Sequence, residues 1–389
     1  MKYILQDGPE WHSLLPLTFT RSVAEIRTGI YSLKERWEQW LGEKPFIATQ
    51  GYLSERYLPI GEDNEYIIIN PAFIPDEKLI KSIKNLGENQ CLIQGENLIA
   101  KYEKKNKENA KSIPNISYYY PLVHLKNPWD IFLKNDEILK ADFKKLRENR
   151  KSIFSLNESN YAFQTEDIFI EEGACIECTT LNARNGPIYI GKDVQIMEGS
   201  HLRGPLSIGR GAQINMGAKI YGATTIGPFC KVGGEISNSV FFSYSNKAHE
   251  GFLGQSVIAE WCNLGAGTNS SNLKNNYSRV KVWSYQEKKY LSTDLQFCGV
   301  IMGDHCKTAI NTSLNTGTVS GVAAQIFGYG FPPKHIPSFC WGSIQNTEIS
   351  DLEKVCKTAA KMMKRRSLSF GKTERKILEK LFAMHRKDR

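Results

Sequence analysis

From Ile190 onward the chain places an aliphatic residue at every sixth position, through Ile196, Leu202, Ile208, Ile214, Ile220, Ile226 and Val232. Small residues follow four positions after most of them, at Ser200, Ala212, Ala218, Thr224 and Cys230. A helix repeats every ~3.6 residues and a lone strand every ~2, so neither produces a strict six. A coil with three flat sides does. Each side turns one aliphatic residue inward and the small residue lets the chain bend at the corner, which is the hexapeptide repeat of a parallel β-helix. The rhythm returns in a shifted phase at Phe252, Ile258 and Leu264, and again at Met302, Thr308, Leu314, Ser320 and Ile326.

Two breaks in the rhythm, between Val232 and Phe252 and between Leu264 and Met302, read as loops protruding from one edge. Loops on a solenoid commonly build its ligand site, so a site made from these two excursions is expected. Ahead of the repeat, apolar runs such as "KYILQ", "PFIAT", "YIIIN" and "QCLIQ" alternate with helical patterns such as Ile26 to Trp40, the mark of an α/β domain. The expected organisation is an α/β domain over residues 1–127, a charged helical linker over 128–160, the β-helix over 161–345 and basic helices over 346–389. In the last segment Leu352, Val355, Ala359 and Met362 recur at helical spacing, as do Ile377, Leu378, Leu381 and Met384. An amphipathic pair packed on the body or on a neighbouring subunit is the plain reading.

Composition changes this picture little, and charge changes it in one place. The 389 residues suit two or three domains, and 41% hydrophobic with 23% charged residues is ordinary for a globular protein. No run approaches the ~20 apolar residues of a membrane span, and the N-terminus lacks the signature of a signal peptide. A cytoplasmic protein is expected. Nine scattered cysteines suit a reducing compartment, and the lone C-x-x-C at Cys175–Cys178 has no second pair to make a zinc site. The formal charge is +9, and 13 Lys and Arg against 5 Asp and Glu put nearly all of it after Asp351. The nearly neutral remainder offers nucleic acid no basic surface, while the tail has the sign to attract an acidic ligand.

The stretch "KAHEGFLGQSVIAEWCNLGAGTNSSNLKNN" resembles the acetyltransferase domain of GlmU-type bifunctional enzymes, and the chain as a whole resembles the sugar nucleotidyltransferases of that family found in Bacteroidetes. The resemblance implies a left-handed β-helix, a homotrimer, and acetyl-CoA bound along a groove between subunits. It also implies His249 as general base on the amine of a glucosamine-1-phosphate-like acceptor. Asn263 and Asn272 match the asparagines that orient the acceptor, with Lys274 a third candidate for substrate binding. Gly265, Ala266, Lys307 and Asn311 are the candidate CoA contacts, and His305 is a weaker candidate base. The chemistry needs a group titrating near neutrality, because an ammonium is no nucleophile until it loses a proton. Two positions depart from the family: Phe252 stands at its tyrosine and Ser237 at its phosphate-binding lysine, whose charge Lys247, Lys274 or Arg279 would have to replace.

Near the N-terminus, "LLPLTFTR" resembles the opening of sugar-nucleotide pyrophosphorylases, which makes Gly8, Pro16, Thr18 and Arg21 the candidate nucleotide contacts. The glycine loop is replaced by "PEWH", Val23 stands at a lysine, and "INPAF" lacks the usual Gly-Asp. Since that loop lets backbone N–H groups approach phosphates, His12, Arg21 and Arg27 would have to serve instead. An active domain would imply a nucleoside triphosphate and Mg2+. The expected activity is N-acetylation of an amino-sugar-1-phosphate. The alternatives are a sugar-1-phosphate nucleotidyltransferase that uses the β-helix to oligomerise, and a non-catalytic binding protein of the same fold.

Overall fold

The computed structural model describes residues 2–61, 65–104, 114–152, 156–342 and 347–387. Among them the central repeat forms three parallel sheets of nine, nine and eight strands, one for each side of a coil, and the second gains a tenth, antiparallel strand, Glu348–Ile349, at its end. The first sheet runs from Ile168–Ile170 to His335–Ile336, the second from Cys175–Ile176 to Cys340–Trp341, and the third from Tyr161–Phe163 to Ser313–Leu314. Register stacks Ile190 on Ile208 and Ile226 in the first sheet, and Ile196 on Ile214 and Val232 in the second. These columns fill one continuous buried core.

The first break in the rhythm is not an excursion. Glu235–Ser237, Val240–Phe241 and Asn246–Lys247 close a complete coil with shortened corners, so Phe241 follows Ile226 by 15 residues where Ile226 follows Ile208 by 18. Two frame assignments change with it. Leu253, not Phe252, takes the inward place, because Leu253 pairs with Ile236 and Phe252 with outward Glu235. Lys247 falls in the inward column, next to Val232.

The second break is a true excursion, an antiparallel hairpin of Lys281–Ser284 and Lys289–Ser292. It buries Val280 and Val282 in the core shared with the N-terminal domain, and Tyr285 meets Phe19 edge-on at 5.1 Å. Its alternating sequence therefore supplies a wedge between domains rather than the wall of a site.

The N-terminal sheet has the order Phe46–Ala48, Lys2–Gln6, Glu65–Ile69, Asn97–Lys104, Cys91–Gln94, Asn115–Ser117. Its first three strands are parallel, Asn97–Lys104 is antiparallel to both neighbours, and Asn115–Ser117 is parallel to Cys91–Gln94. The helix expected from Ile26 spans only Leu33–Leu41. Gly29, at φ +63°, turns a short hairpin first, and Ser32 with Glu35 then forms a reciprocal cap at the helix start.

Outward positions of the first sheet explain how this domain is held. Val240, Val257, Ile301 and Val319 are apolar because Trp11, Leu14, Leu17, Val23 and Ile26 cover them. Burying each such side chain contributes about 1.5–3 kcal/mol. The segment expected as a linker contains Asp130–Leu133 and Asn135–Asn149, and it fastens both sides. Asn135 accepts from Thr28 and Thr225 and donates to Ala223, while Asp142 forms a two-pronged pair with buried Arg36 at 2.7 and 2.8 Å.

The tail forms helices Leu352–Lys364 and Lys372–Lys387, and the boundary drawn at 345/346 lies outside the described residues. Met363 rather than Met362 joins Val355, Cys356 and Ala359 in the buried stripe. The second helix reaches the N-terminal domain through Lys376 and Glu55, 2.8 Å apart, and its Phe382 packs on Phe339 of the solenoid. No helix among the described residues is long and apolar enough to cross a membrane.

Candidate functional site

The solenoid edge between its second and third sheets carries His249 in the corner that follows Asn246–Lys247. Successive coils stack there. The Gly267 N–H donates to the Glu250 carbonyl at 3.0 Å, and the Asn311 N–H donates to the Ala266 carbonyl at 2.8 Å. His249, Ala266 and Asn311 thus lie on one edge. Asn311 sits at φ +60°, a turn conformation, and Gly265 packs so closely on Ala309 that a Cβ would strike its backbone. Met216 and Ile310, at 67% and 70% exposure, lie along the same edge.

The His249 side chain is exposed, and beneath it lies an unusual anchor. Lys247 is only 1% exposed, and its ammonium donates to the carbonyls of His249 and, at 3.3 Å, Gly233. Among the described residues no backbone N–H reaches either carbonyl. Shortening this coil misaligned the ladder, and an aliphatic side chain in the inward column would have left both oxygens orphaned, a cost of about 1–3 kcal/mol each. Burial lowers the Lys247 pKa to about 8, with Glu250 opposing the shift. Lys247 is therefore committed to the core and does not replace the family's phosphate-binding lysine.

Asn263 and Lys307 lie together on the second sheet. Lys231, Asn246, Asn263, Lys307 and Gln325 form one outward row in register. Asn246 donates to Asn263 at 3.4 Å and accepts from Arg366 at 3.1 Å, so the helix Leu352–Lys364 and the residues just after it roof this row. Lys307 donates to the His305 carbonyl at 2.9 Å, and burial lowers its pKa. Beside the row runs a ladder of rings at corner positions with positive φ: Phe229 on Tyr244 at 5.1 Å, Tyr244 on Trp261 at 4.4 Å, and Trp261 on His305 at 6.3 Å. His305 is an unsuitable base, since burial and the nearby Lys307 lower its pKa to about 3.

Asn272 and Lys274 lie elsewhere, where the excursion leaves the third sheet. Asn272 donates to Gln255 at 2.5 Å, and Lys274 donates to the Arg279 carbonyl at 2.6 Å. Within one chain the third sheet separates them from His249. Phe252 stays on that sheet, its N–H bonded to Asn269 at 2.7 Å, and Ser237 pairs with Gly254 in the same sheet.

The N-terminal candidates divide. Gly8 borders a cleft of about 220 Å³ at the ends of the parallel strands, with Asp7, Glu10, Asn70, Glu96 and Lys101. Glu10 fills the space beside Gly8 and bonds His124 at 2.6 Å and Asn70 at 3.0 Å. Asp7 is already engaged by the hydroxyls of Ser22 and Thr49 and the Val23 N–H, and burial raises its pKa to about 6. Its occupied oxygens do not fit a Mg2+ ligand, and no metal cluster is arranged among the described residues. Pro16 follows a cis bond and Thr18 bonds the Trp11 carbonyl at 2.6 Å, both structural tasks. Arg21 turns away altogether. It is buried between domains, paired with Asp304 and, at 3.4 Å, with Glu260. Burial works against the Asp304 carboxylate, but Arg21 overrides it and holds the group below its ordinary value. Arg27 pairs with Glu35 at 3.0 Å, and the His12 ring packs on Trp11.

Asn263, Lys307 and the tail helix are visible in the sequence, but the ring ladder and the meeting of the helix with this row carry little sequence signal. Asn246 drops out of the six-residue count when the coil shortens, and Arg366 meets it from 120 residues away.

Residues 3–151 match the family model described as sugar nucleotidyl transferase, so the first part of the chain is a nucleotidyltransferase-type domain. A stretch of about a quarter of the chain is similar to GlmU-type bifunctional proteins. It is 36% identical over 93 residues to a bifunctional sugar-1-phosphate nucleotidylyltransferase/acetyltransferase of Sulfurisphaera tokodaii, covering 24% of this chain and 23% of that one. It is 34% identical over 87 residues to the bifunctional protein GlmU of Methanocaldococcus jannaschii, covering 22% and 21%. The chain thus spans under a quarter of the length of these curated relatives. Among solved structures, the polySia specific acetyltransferase NeuO is 12% identical with a TM-score of 0.28, covering 52% of this chain and 98% of that one. At that score the fold is read from the coils themselves.

Proposed function

We propose that the solenoid is an acyltransferase that moves an acetyl group from acetyl-CoA to the amine of an amino-sugar-1-phosphate, with His249 as general base. The observation that supports it most is the exposed imidazole on an edge shared with Ala266 and Asn311 and anchored from within by Lys247. In the reaction His249 takes a proton from the acceptor ammonium, the freed nitrogen forms the C–N bond, and the thioester C–S bond breaks. His249 hands that first proton to solvent, and the second proton, shed by the nitrogen as the amide forms, passes through His249 to the departing thiolate, so the imidazole ends as it began.

The donor runs along the outward row of the second sheet, past Asn263 and Lys307, with Gly265 allowing close approach at the corner. Asn272 and Lys274, too far round the coil to serve their own chain's His249, face the acceptor at a neighbouring subunit's edge in a homotrimer. The exposed Met216 and Ile310 suit such an interface. The similarity to bifunctional nucleotidylyltransferase/acetyltransferases points the same way.

The N-terminal domain, in this reading, keeps the nucleotidyltransferase form without its transfer chemistry. Its cleft presents Asp7, Glu10 and Glu96 against one lysine, a poor complement to a triphosphate. Incubating the chain with acetyl-CoA and glucosamine-1-phosphate and weighing the products tests the reading. An N-acetylated sugar phosphate is expected. Pyrophosphate release from any NTP with glucose-1-phosphate, without acetylation, would hand the activity to the other domain.

A further inference from the structure

We infer that the cavity between the second sheet and the C-terminal helix Leu352–Lys364 is a binding site for the phosphate groups of a nucleotide, with the basic tail supplying two of its four cations. The cavity measures about 390 Å³, within the ~300–1,000 Å³ range of small-molecule sites. Lys231 and Lys307 approach from the sheet, Arg365 and Arg366 from the end of the helix, and Tyr244 and Trp261 from the ring ladder. No carboxylate is among its lining residues.

That imbalance sets it apart from its neighbours. The adjoining cavity of about 270 Å³ shares Lys307 but adds Glu348 and Asp351, and the one of about 330 Å³ on the far side of Trp261 sets Arg56 against Glu260, Asp304 and Glu374. The adjoining one sets Lys307 and Lys354 against two carboxylates, and the one beyond Trp261 carries an excess of carboxylates. In the first cavity, Lys231 and Arg365 have no ion pair or side-chain hydrogen bond among the described residues, and Arg366 bonds only the neutral amide of Asn246. Four cations around one small space repel one another unless an anion joins them. Phosphate answers this chemistry, since guanidinium forks match its oxygens and lysine adds point charge. The amides of Asn246 and Asn263 and the Thr358 hydroxyl supply neutral hydrogen-bonding partners.

Two sources share the chemistry: the nucleotide end of coenzyme A, or a free nucleoside diphosphate. The first rests on the proposed acyl transfer, while the second does not. Calorimetric titration of the full chain with coenzyme A, UDP and inorganic phosphate tests the site, comparing wild type with Arg365→Ala/Arg366→Ala and with Lys231→Gln. At least one nucleotide should bind wild type and lose roughly tenfold or more in affinity in the double variant, equivalent to about 1.4 kcal/mol. Its affinity should also fall steeply with salt in wild type and less so in the variants. Tighter binding of coenzyme A assigns the site to the acyl donor, and equal or tighter binding of UDP to a free nucleotide. If no probe binds wild type, or binding is untouched by all three substitutions, the inference is overturned. Retained nucleotide binding with no acetyl transfer would leave this site standing and remove the acyltransferase reading.

Discussion

At the scale of single residues, Lys247 is the position where sequence and structure pull hardest against each other. A lysine in the inward column of a β-helix is costly, yet this one satisfies two carbonyls that a shortened coil would otherwise bury unpaired. Lys247→Met keeps the bulk and removes the donors. It should lower unfolding stability by about 2–5 kcal/mol, read by urea denaturation, and speed amide exchange in residues 248–251. Stability and exchange equal to wild type would refute the anchoring role. His305 offers a test by pH. An unfolded histidine takes up its proton at about pH 6.5, whereas burial and Lys307 lower the folded His305 pKa to about 3. The unfolded state therefore binds more protons as pH falls from 6.5 toward 3, and stability drops through that window by up to about 1.4 kcal/mol per pH unit. His305→Phe should flatten the difference between urea midpoints at pH 7 and pH 5. An unchanged difference would count against it.

Among the elements, the interdomain ion pairs carry a clear prediction. Arg21, read from sequence as a nucleotide contact, is buried against Asp304 and Glu260 of the solenoid. Arg21→Met leaves the buried Asp304 and half-buried Glu260 carboxylates without their cation and should cost about 3–5 kcal/mol. Adding Asp304→Asn and Glu260→Gln should restore part of that loss. Full stability of the single variant would mean that the pairs do not hold the domains. The coils themselves were legible because a strict period of six admits one architecture. What escapes is a change of spacing: a coil with shortened corners reads as a loop, which puts Phe252 in the inward place and leaves Lys247 a candidate for a phosphate-binding charge. The Lys281–Ser292 hairpin was visible as an excursion, but its destination was not, since Val280 and Val282 find their partners in the other domain. A short polar motif such as that around Arg21 reads alike whether its charge meets a phosphate or a carboxylate.

For the whole molecule, the apolar outward stripe of Val240, Val257, Ile301 and Val319 joins solenoid and N-terminal domain, and the tail helices clamp both. The tail's charge was plain in the sequence, but the cavity it roofs required knowing which sheet it covers. Cysteine reactivity gives a simple check on the packing. None of the nine cysteines is joined in a disulfide, and only Cys175 and Cys178 are exposed, so two should react rapidly with a thiol reagent in native protein and nine after denaturation. More than two fast thiols would mean a looser core than described. The most direct test of the central claim is thiol release from acetyl-CoA in the presence of glucosamine-1-phosphate, followed for wild type and His249→Ala at equal folding. The account predicts sustained release by wild type and a rate lower by about 100-fold or more in the variant. Release by wild type no faster than by His249→Ala would contradict it.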